Sequence, residues 1–140
     1  MLDVSWVVAM NRAADIDPGL GAYTANANSD LKTYLGETTG VWSALDASDG
    51  HIIWQTRPTH GGGTSGPVTT ANGVVFGCSL DPQCYMYALN AATGQELWTF
   101  ASGGSCLSGA AILNGTVYWG SGYTNLGGTA NNKLFAFGLK

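Results

Sequence analysis

Carboxylates, thiols and imidazoles are the side chains able to do chemistry in this sequence, and few stand close together. Asp15 and Asp17, in Asp15-Ile-Asp17-Pro-Gly19, alternate as in a calcium loop, but the further ligands and distal Glu of an EF-hand do not follow. A turn between the first and second strands of a sheet accounts for them better. Asp46 and Asp49 are close enough for acid–base work. The positions that repeat them are Asn90 and Thr93, which carry no carboxylate, so both aspartates read as turn-closers. Cys78 and Cys84 flank a connection of five residues. They form a candidate disulfide worth about 2 kcal/mol, or else serve as buried apolar residues. Cys106 is then left over. Asn114-Gly-Thr116 spells a glycosylation sequon, which matters only in an exported protein; the same Asn-Gly also has a turn to make.

These residues are positioned by a repeat. Trp42-Ser-Ala-Leu-Asp46-Ala-Ser-Asp-Gly50-His-Ile-Ile-Trp54 returns as Tyr85-Met-Tyr-Ala-Leu-Asn90-Ala-Ala-Thr-Gly94-Gln-Glu-Leu-Trp98, with Asp46/Asn90, Gly50/Gly94 and Trp54/Trp98 each 44 residues apart. Asn72-Gly73-Val-Val-Phe-Gly77 returns as Asn114-Gly115-Thr-Val-Tyr-Trp-Gly120, at an offset of 42. A third copy of the Ala-Leu-Asx strand is Leu134-Phe-Ala136-Phe-Gly-Leu139, and a poorer first copy runs from Asp3 through Asn28.

Each repeat resolves into four strands, A to D. Asn-Gly supplies the two consecutive positive-φ positions of a type I′ turn, which makes A and B a hairpin. Asp46 and Asn90 close a turn on their own backbone while Gly50 and Gly94 take its left-handed position, which makes C and D a second hairpin. A period in the low forties with four short strands is the propeller pattern, and no three- or four-residue apolar stripe competes with it. Trp54 and Trp98 fall at one register of strand D, where a flat ring wedges between blades.

Composition agrees. The 140 residues include 21 glycines and 10% charged side chains, and nine acids against five bases give a net charge of −4 with no basic cluster, which excludes a nucleic-acid footprint. The longest apolar run, near Val4 to Met10, is too short to span a bilayer. The expected fold is all-β: a partial β-propeller of about three four-stranded antiparallel blades, over residues 3–57, 65–101 and 107–139, the last lacking its outer strand. Fewer than three complete blades cannot close a ring, so the chain is expected to be the carboxy-terminal segment of one larger propeller domain, its partners being the missing amino-terminal blades. Self-assembly of several short chains into a ring is the other way to cover the open edges.

The paired Ala-Leu-Asx-Ala-x-x-Gly-x-x-x-Trp repeats resemble the tryptophan-docking repeat of pyrroloquinoline-quinone (PQQ) propellers. Gly40-Val-Trp42-Ser-Ala-Leu-Asp46, Gly66-Pro67-Val68, Gly120-Ser-Gly-Tyr123 and the terminal Leu134-Phe-Ala-Phe are similar to the end of polyvinyl-alcohol-dehydrogenase-like quinoproteins. The likeness covers residues 21–139. The start departs from it: Trp6-Val-Val-Ala9-Met-Asn11 keeps Trp and Ala of the family's Trp-Gly-x-Ala-x-Asp but neither Gly nor Asp.

The resemblance implies a ring of about eight blades, PQQ with a divalent ion such as calcium in its channel, a periplasmic or extracellular location, and oxidation of an alcohol with electrons passed to a cytochrome or quinone. The same repeat also builds non-catalytic assembly scaffolds, so fold alone does not choose. The family's catalytic Asp, metal ligands and adjacent-cysteine disulfide have no counterpart here; no catalytic or metal residue carries over, and this segment alone is expected to be inactive and to bind no cofactor. What it offers is channel-facing loops, in which His60, Ser105 and Tyr123 are the candidate cofactor-binding residues. The plainer reading of all three is ordinary polar loop residues.

Overall fold

The computed structural model describes residues 7–10, 40–46, 48–64, 66–80, 83–124 and 128–138. Ten strands follow in chain order: β1 (Val7–Met10), β2 (Val41–Leu45), β3 (Ile52–Thr56), β4 (Thr69–Ala71), β5 (Val74–Cys78), β6 (Tyr85–Asn90), β7 (Glu96–Ala101), β8 (Ala111–Leu113), β9 (Thr116–Gly120) and β10 (Leu134–Gly138). They form three sheets, β1-β2-β3, β4-β5-β6-β7 and β10-β9-β8, and every described pairing is antiparallel. The fold is a partial β-propeller whose three sheets are successive blades. The middle blade shows all four strands, and the third shows A, B and C.

Turn chemistry sets these hairpins. Asn72 and Gly73 have φ of 49° and 76°, and Asn114 and Gly115 have 49° and 74°, the two positive values a type I′ turn requires. In the C–D turns Asp46 Oδ1 accepts the Ser48 N–H at 2.8 Å and Asn90 Oδ1 accepts the Ala92 N–H at 2.9 Å. Gly50 and Gly94, at φ 78° and 71°, return their N–H groups to the Asp46 and Asn90 carbonyls, both at 2.8 Å. A register shift follows each of Ala44 and Ala88, so even the bulge that twists strand D repeats.

Strand A is shorter than expected. β4 and β8 begin three and four residues beyond the expected starts at Gly66 and Leu107, because that backbone is committed across the blade boundary. Pro67 has no N–H to give a ladder, and Gly66 packs so closely on Leu107 that a Cβ there would lie 3.2 Å from its carbonyl carbon. The first blade also departs from expectation. Its described strands number three, and β1 lies directly beside β2, in position B. Residues 15–19, expected to turn between the first and second strands of a sheet, lie outside the described residues.

Two apolar layers join the blades. Trp42, Ala44 and Trp54 of the first meet Val75, Tyr87 and Leu89 of the second. Cys78 and Met86 of the second meet Cys106, Ala110 and Trp119 of the third, with Phe100, Phe135 and Phe137 alongside. Trp54 docks as its repeat predicts: the indole Nε1 donates to the Ala91 carbonyl at 2.9 Å, and a Cβ on Gly94 would come within 2.6 Å of the ring. Thr56 Oγ1 adds a bond to the Gly94 carbonyl at 2.7 Å. Trp98 packs against Phe137 at a 5.0 Å centroid distance, but is 37% exposed where Trp54 is 8%. Trp54→Phe, which strands the Ala91 carbonyl, is expected to cost about 1–2 kcal/mol. Trp98→Phe should cost clearly less; urea midpoints of the two variants test the difference.

Candidate functional site

The loop candidates divide between two places. Ser105 and Tyr123, on the connections before β8 and after β9, come together in the lining of a pocket of about 370 Å³ with Leu107, Ser108, Gly120 and Ser121. His60 lies at the boundary of the first and second blades. Its ring stacks on Tyr85 at 3.7 Å and 9°, and its backbone N–H reaches the Tyr87 hydroxyl at 3.4 Å.

Ser105 is buried and held by its neighbours. Its Oγ accepts the Thr129 N–H at 2.7 Å, its N–H donates to the Thr129 carbonyl at 2.9 Å, and its carbonyl accepts from Gly122 and Tyr123 at 2.8 and 2.9 Å. These bonds fold the long B–C loop back onto the D–A connection. Asn131 completes the fold-back, its Nδ2 donating to the Ser102 carbonyl at 2.8 Å while its Oδ1 accepts the Lys133 N–H at 3.0 Å. Sequence reasoning missed Asn131, since the corresponding loop of the second blade, residues 79–84, is too short to hold a copy of it.

The pocket lining carries hydroxyls, an aromatic ring and aliphatic surface but no charged side chain. A tricarboxylate such as PQQ requires cationic or metal counter-charge when taken out of water, so the lining does not fit that group. Ser121 Oγ, on the same lining, is buried without a hydrogen-bond partner.

The disulfide is not the expected one. Cys78 is bridged to Cys106, 28 residues away, with Cα atoms 5.7 Å apart, and Cys84 is buried outside the bridge. Cys84 leads into β6 at a φ of 53° with its carbonyl accepting from Ser102. Cys78 ends β5 on the face turned toward the third blade, where Cys106 lies. The bridge is therefore a staple between blades, and not a clip across one loop.

Asp46, Asp49 and His51 place potential ligand atoms within 4.8 Å of one another on an exposed C–D turn. The carboxylates are occupied as turn-closers. Asp49 Oδ1 accepts the His51 backbone N–H at 3.0 Å and faces the imidazole Nδ1 at 2.7 Å. The hydrogen bond to Asp49, then its charge, raises the His51 pKa above 6.5, while bonds from Ser48 and His51 lower those of Asp46 and Asp49 below 3.8. The contribution of His51 is thus complete below pH 6.5 and disappears as pH rises through its elevated folded pKa; those of the aspartates disappear as pH falls through their depressed values. An NMR titration is expected to place His51 above 6.5, with Asp49→Asn returning it toward the ordinary value.

A family model described as outer membrane protein assembly factor BamB matches residues 4–139. The outer membrane protein assembly factor BamB of Yersinia pestis is 28% identical over 117 residues, covering 75% of this chain and 29% of that protein. Among solved structures, a europium-containing methanol dehydrogenase superposes with a TM-score of 0.55 at 20% identity, over 71% of this chain and 19% of that one. A quinohemoprotein alcohol dehydrogenase from Pseudomonas putida HK5 gives 0.52 at 26% identity, over 59% and 14%. The chain thus spans less than a third of the curated relative it matches. Among the described residues no helix is long and apolar enough to cross a membrane.

Proposed function

We infer that this chain, which belongs to the family of PQQ-repeat propellers described as outer membrane protein assembly factor BamB, is a sector of a protein-binding scaffold serving outer-membrane protein assembly. The observation that carries the reading is the commitment of the candidate cofactor residues to structure: Ser105 holds two loops together through four backbone partners, and His60 is stacked on Tyr85. The curated relative supports it by name. The disulfide supports export, because such bonds persist in oxidising compartments such as the periplasm. Partners in this reading are proteins, docked on the blades and loops of the whole propeller.

The second reading, a sector of an alcohol-oxidising quinoprotein of the polyvinyl-alcohol-dehydrogenase type, is favoured by the superposition on the quinohemoprotein alcohol dehydrogenase. It requires PQQ, a divalent ion such as calcium, an alcohol and a cytochrome acceptor, all held by blades outside this chain. One experiment separates the two. Full-length protein incubated with PQQ and calcium, then desalted, is expected to retain no quinone absorbance and to reduce no dye with alcohols, while its removal from the host lowers outer-membrane protein levels. Retained quinone with alcohol-dependent dye reduction would overturn the scaffold reading.

A further inference from the structure

The sequence holds three cysteines, and the one outside the bridge lies close to it. Cys78 stands directly opposite Met86 across the β5–β6 ladder. Cys84 comes two residues before Met86, at the diagonal position, which in a regular antiparallel pair is about 7–8 Å from Cys78. A disulfide needs Cα atoms about 4.4–6.8 Å apart, and the Cys78–Cys106 pair has 5.7 Å. A displacement of about 1–2 Å therefore brings Cys84 within bridging range of Cys78.

Local backbone favours that displacement. Ser79 closes the end of the ladder, its N–H donating to the Tyr85 carbonyl at 3.0 Å and its Oγ accepting the Tyr85 N–H at 3.2 Å. Just beyond that pair Cys84 has a φ of 53°; the other described non-glycine residues with positive φ are Asn72 and Asn114. Asparagine tolerates the left-handed region through its own side chain, and cysteine is strained there. Returning Cys84 to extended backbone relieves the strain and continues β6. Residues two apart along a strand share a face, so the Cys84 thiol then joins the face of Met86, which lies in one layer with Cys78 and Cys106. The movement is opposed by Ser102, whose N–H and Oγ both donate to the Cys84 carbonyl, at 2.9 and 2.7 Å.

We propose that Cys84 is an internal exchange thiol, and that the chain carries a disulfide latch with two positions. The Cys84 thiolate attacks Cys78 Sγ, the Cys78–Cys84 bond forms as the Cys78–Cys106 bond breaks, and Cys106 leaves as a thiolate that takes up the proton Cys84 gave up. One disulfide and one thiol stand on each side, so no oxidant or reductant is consumed. The exchange turns a staple between blades into a clip within the second blade. It releases the lead-in to β8, whose hydrogen bond from the Cys106 N–H to the Ser79 carbonyl is long at 3.4 Å. Ser108 in that lead-in accepts the Trp119 indole N–H at 2.8 Å, so the position of the latch is reported by a buried tryptophan. The proposal rests on the fold and on neither functional reading.

The test traps the released thiol. Full-length oxidised protein is held in native buffer with excess maleimide and no added thiol, below its unfolding transition, and its cysteine peptides are mapped over time by mass spectrometry. All three cysteines are buried, so label accumulates on the thiol that the latch exposes. The expected product carries maleimide on Cys106 and a Cys78–Cys84 linked peptide, and its tryptophan emission is shifted to the red. Cys84→Ser should keep the Cys78–Cys106 bridge and cut labelling of Cys106 about tenfold or more, because the attacking thiolate is gone. Label on Cys84 with the original bridge intact, label on Cys78, or no label at all would overturn the proposal. Equal labelling of Cys106 in Cys84→Ser would do the same, as would unshifted emission from the trapped product, since the exchange would then release nothing.

Discussion

Reducing the Cys78–Cys106 bridge is expected to lower the unfolding free energy by roughly 3–4 kcal/mol, read as a drop in the urea midpoint between oxidised and reduced protein. The figure follows from the sequence separation of 28 between the cysteines: closing a loop of that length removes about this much chain entropy from the unfolded state. The bridge joins two blades, so its loss falls on their contact and leaves each hairpin intact. Reduction should therefore expose the Met86–Trp119 layer before the Asn-Gly and Asx-Gly turns change, seen as a shift in tryptophan emission at little-changed β-sheet circular dichroism. Cys84→Ala, which leaves the bridge untouched, should not reproduce the effect. If reduction leaves the midpoint unmoved, the staple is not formed in solution.

The contrast between the two kinds of bond explains what was legible in the sequence. Hairpins were readable because their determinants are local. Asn72-Gly73 and Asn114-Gly115 decide a type I′ turn within four residues, and Asp46 or Asn90 closes a turn on a neighbour two residues away. The periodic Trp54 could be placed at a blade boundary because its register repeats, and its bond to Ala91 follows. Contacts between blades were not readable, because they depend on which residues face each other across tens of positions. Cys84 is the nearer partner of Cys78 in sequence, yet Cys106 is the one beside it in space. The candidate site was blurred for the same reason. Ser105, Tyr123 and His60 are all polar residues of the D–A and B–C loops, but only the fold shows that two of them share a pocket while the third belongs to another boundary.

The largest single-residue effect is expected at another contact of this kind. In the first layer the bulky group comes from the preceding blade: Trp42 lies in the space that Gly77 leaves, and a Cβ on Gly77 would stand 2.6 Å from its Nε1 and 2.9 Å from its Cε2. In the second layer the sizes are exchanged, since Trp119 occupies the position of Gly77 and Met86 that of Trp42. At this matched pair of positions each layer thus holds one indole, supplied from opposite sides. Trp42→Ala should cost about 3–5 kcal/mol, because a fully buried ring is removed from between two sheets that cannot close on the space. Its buried Nε1 has no hydrogen-bond partner, which trims the loss toward the lower end. Gly77→Ala should cost about 1–3 kcal/mol by overpacking against the indole. The two changes are then coupled: in a Trp42→Leu background Gly77→Ala meets no ring, and the double variant should be more stable than the sum of the singles by about 1 kcal/mol or more. Strict additivity in urea unfolding would mean that Gly77 is required for its backbone and not for the ring it admits.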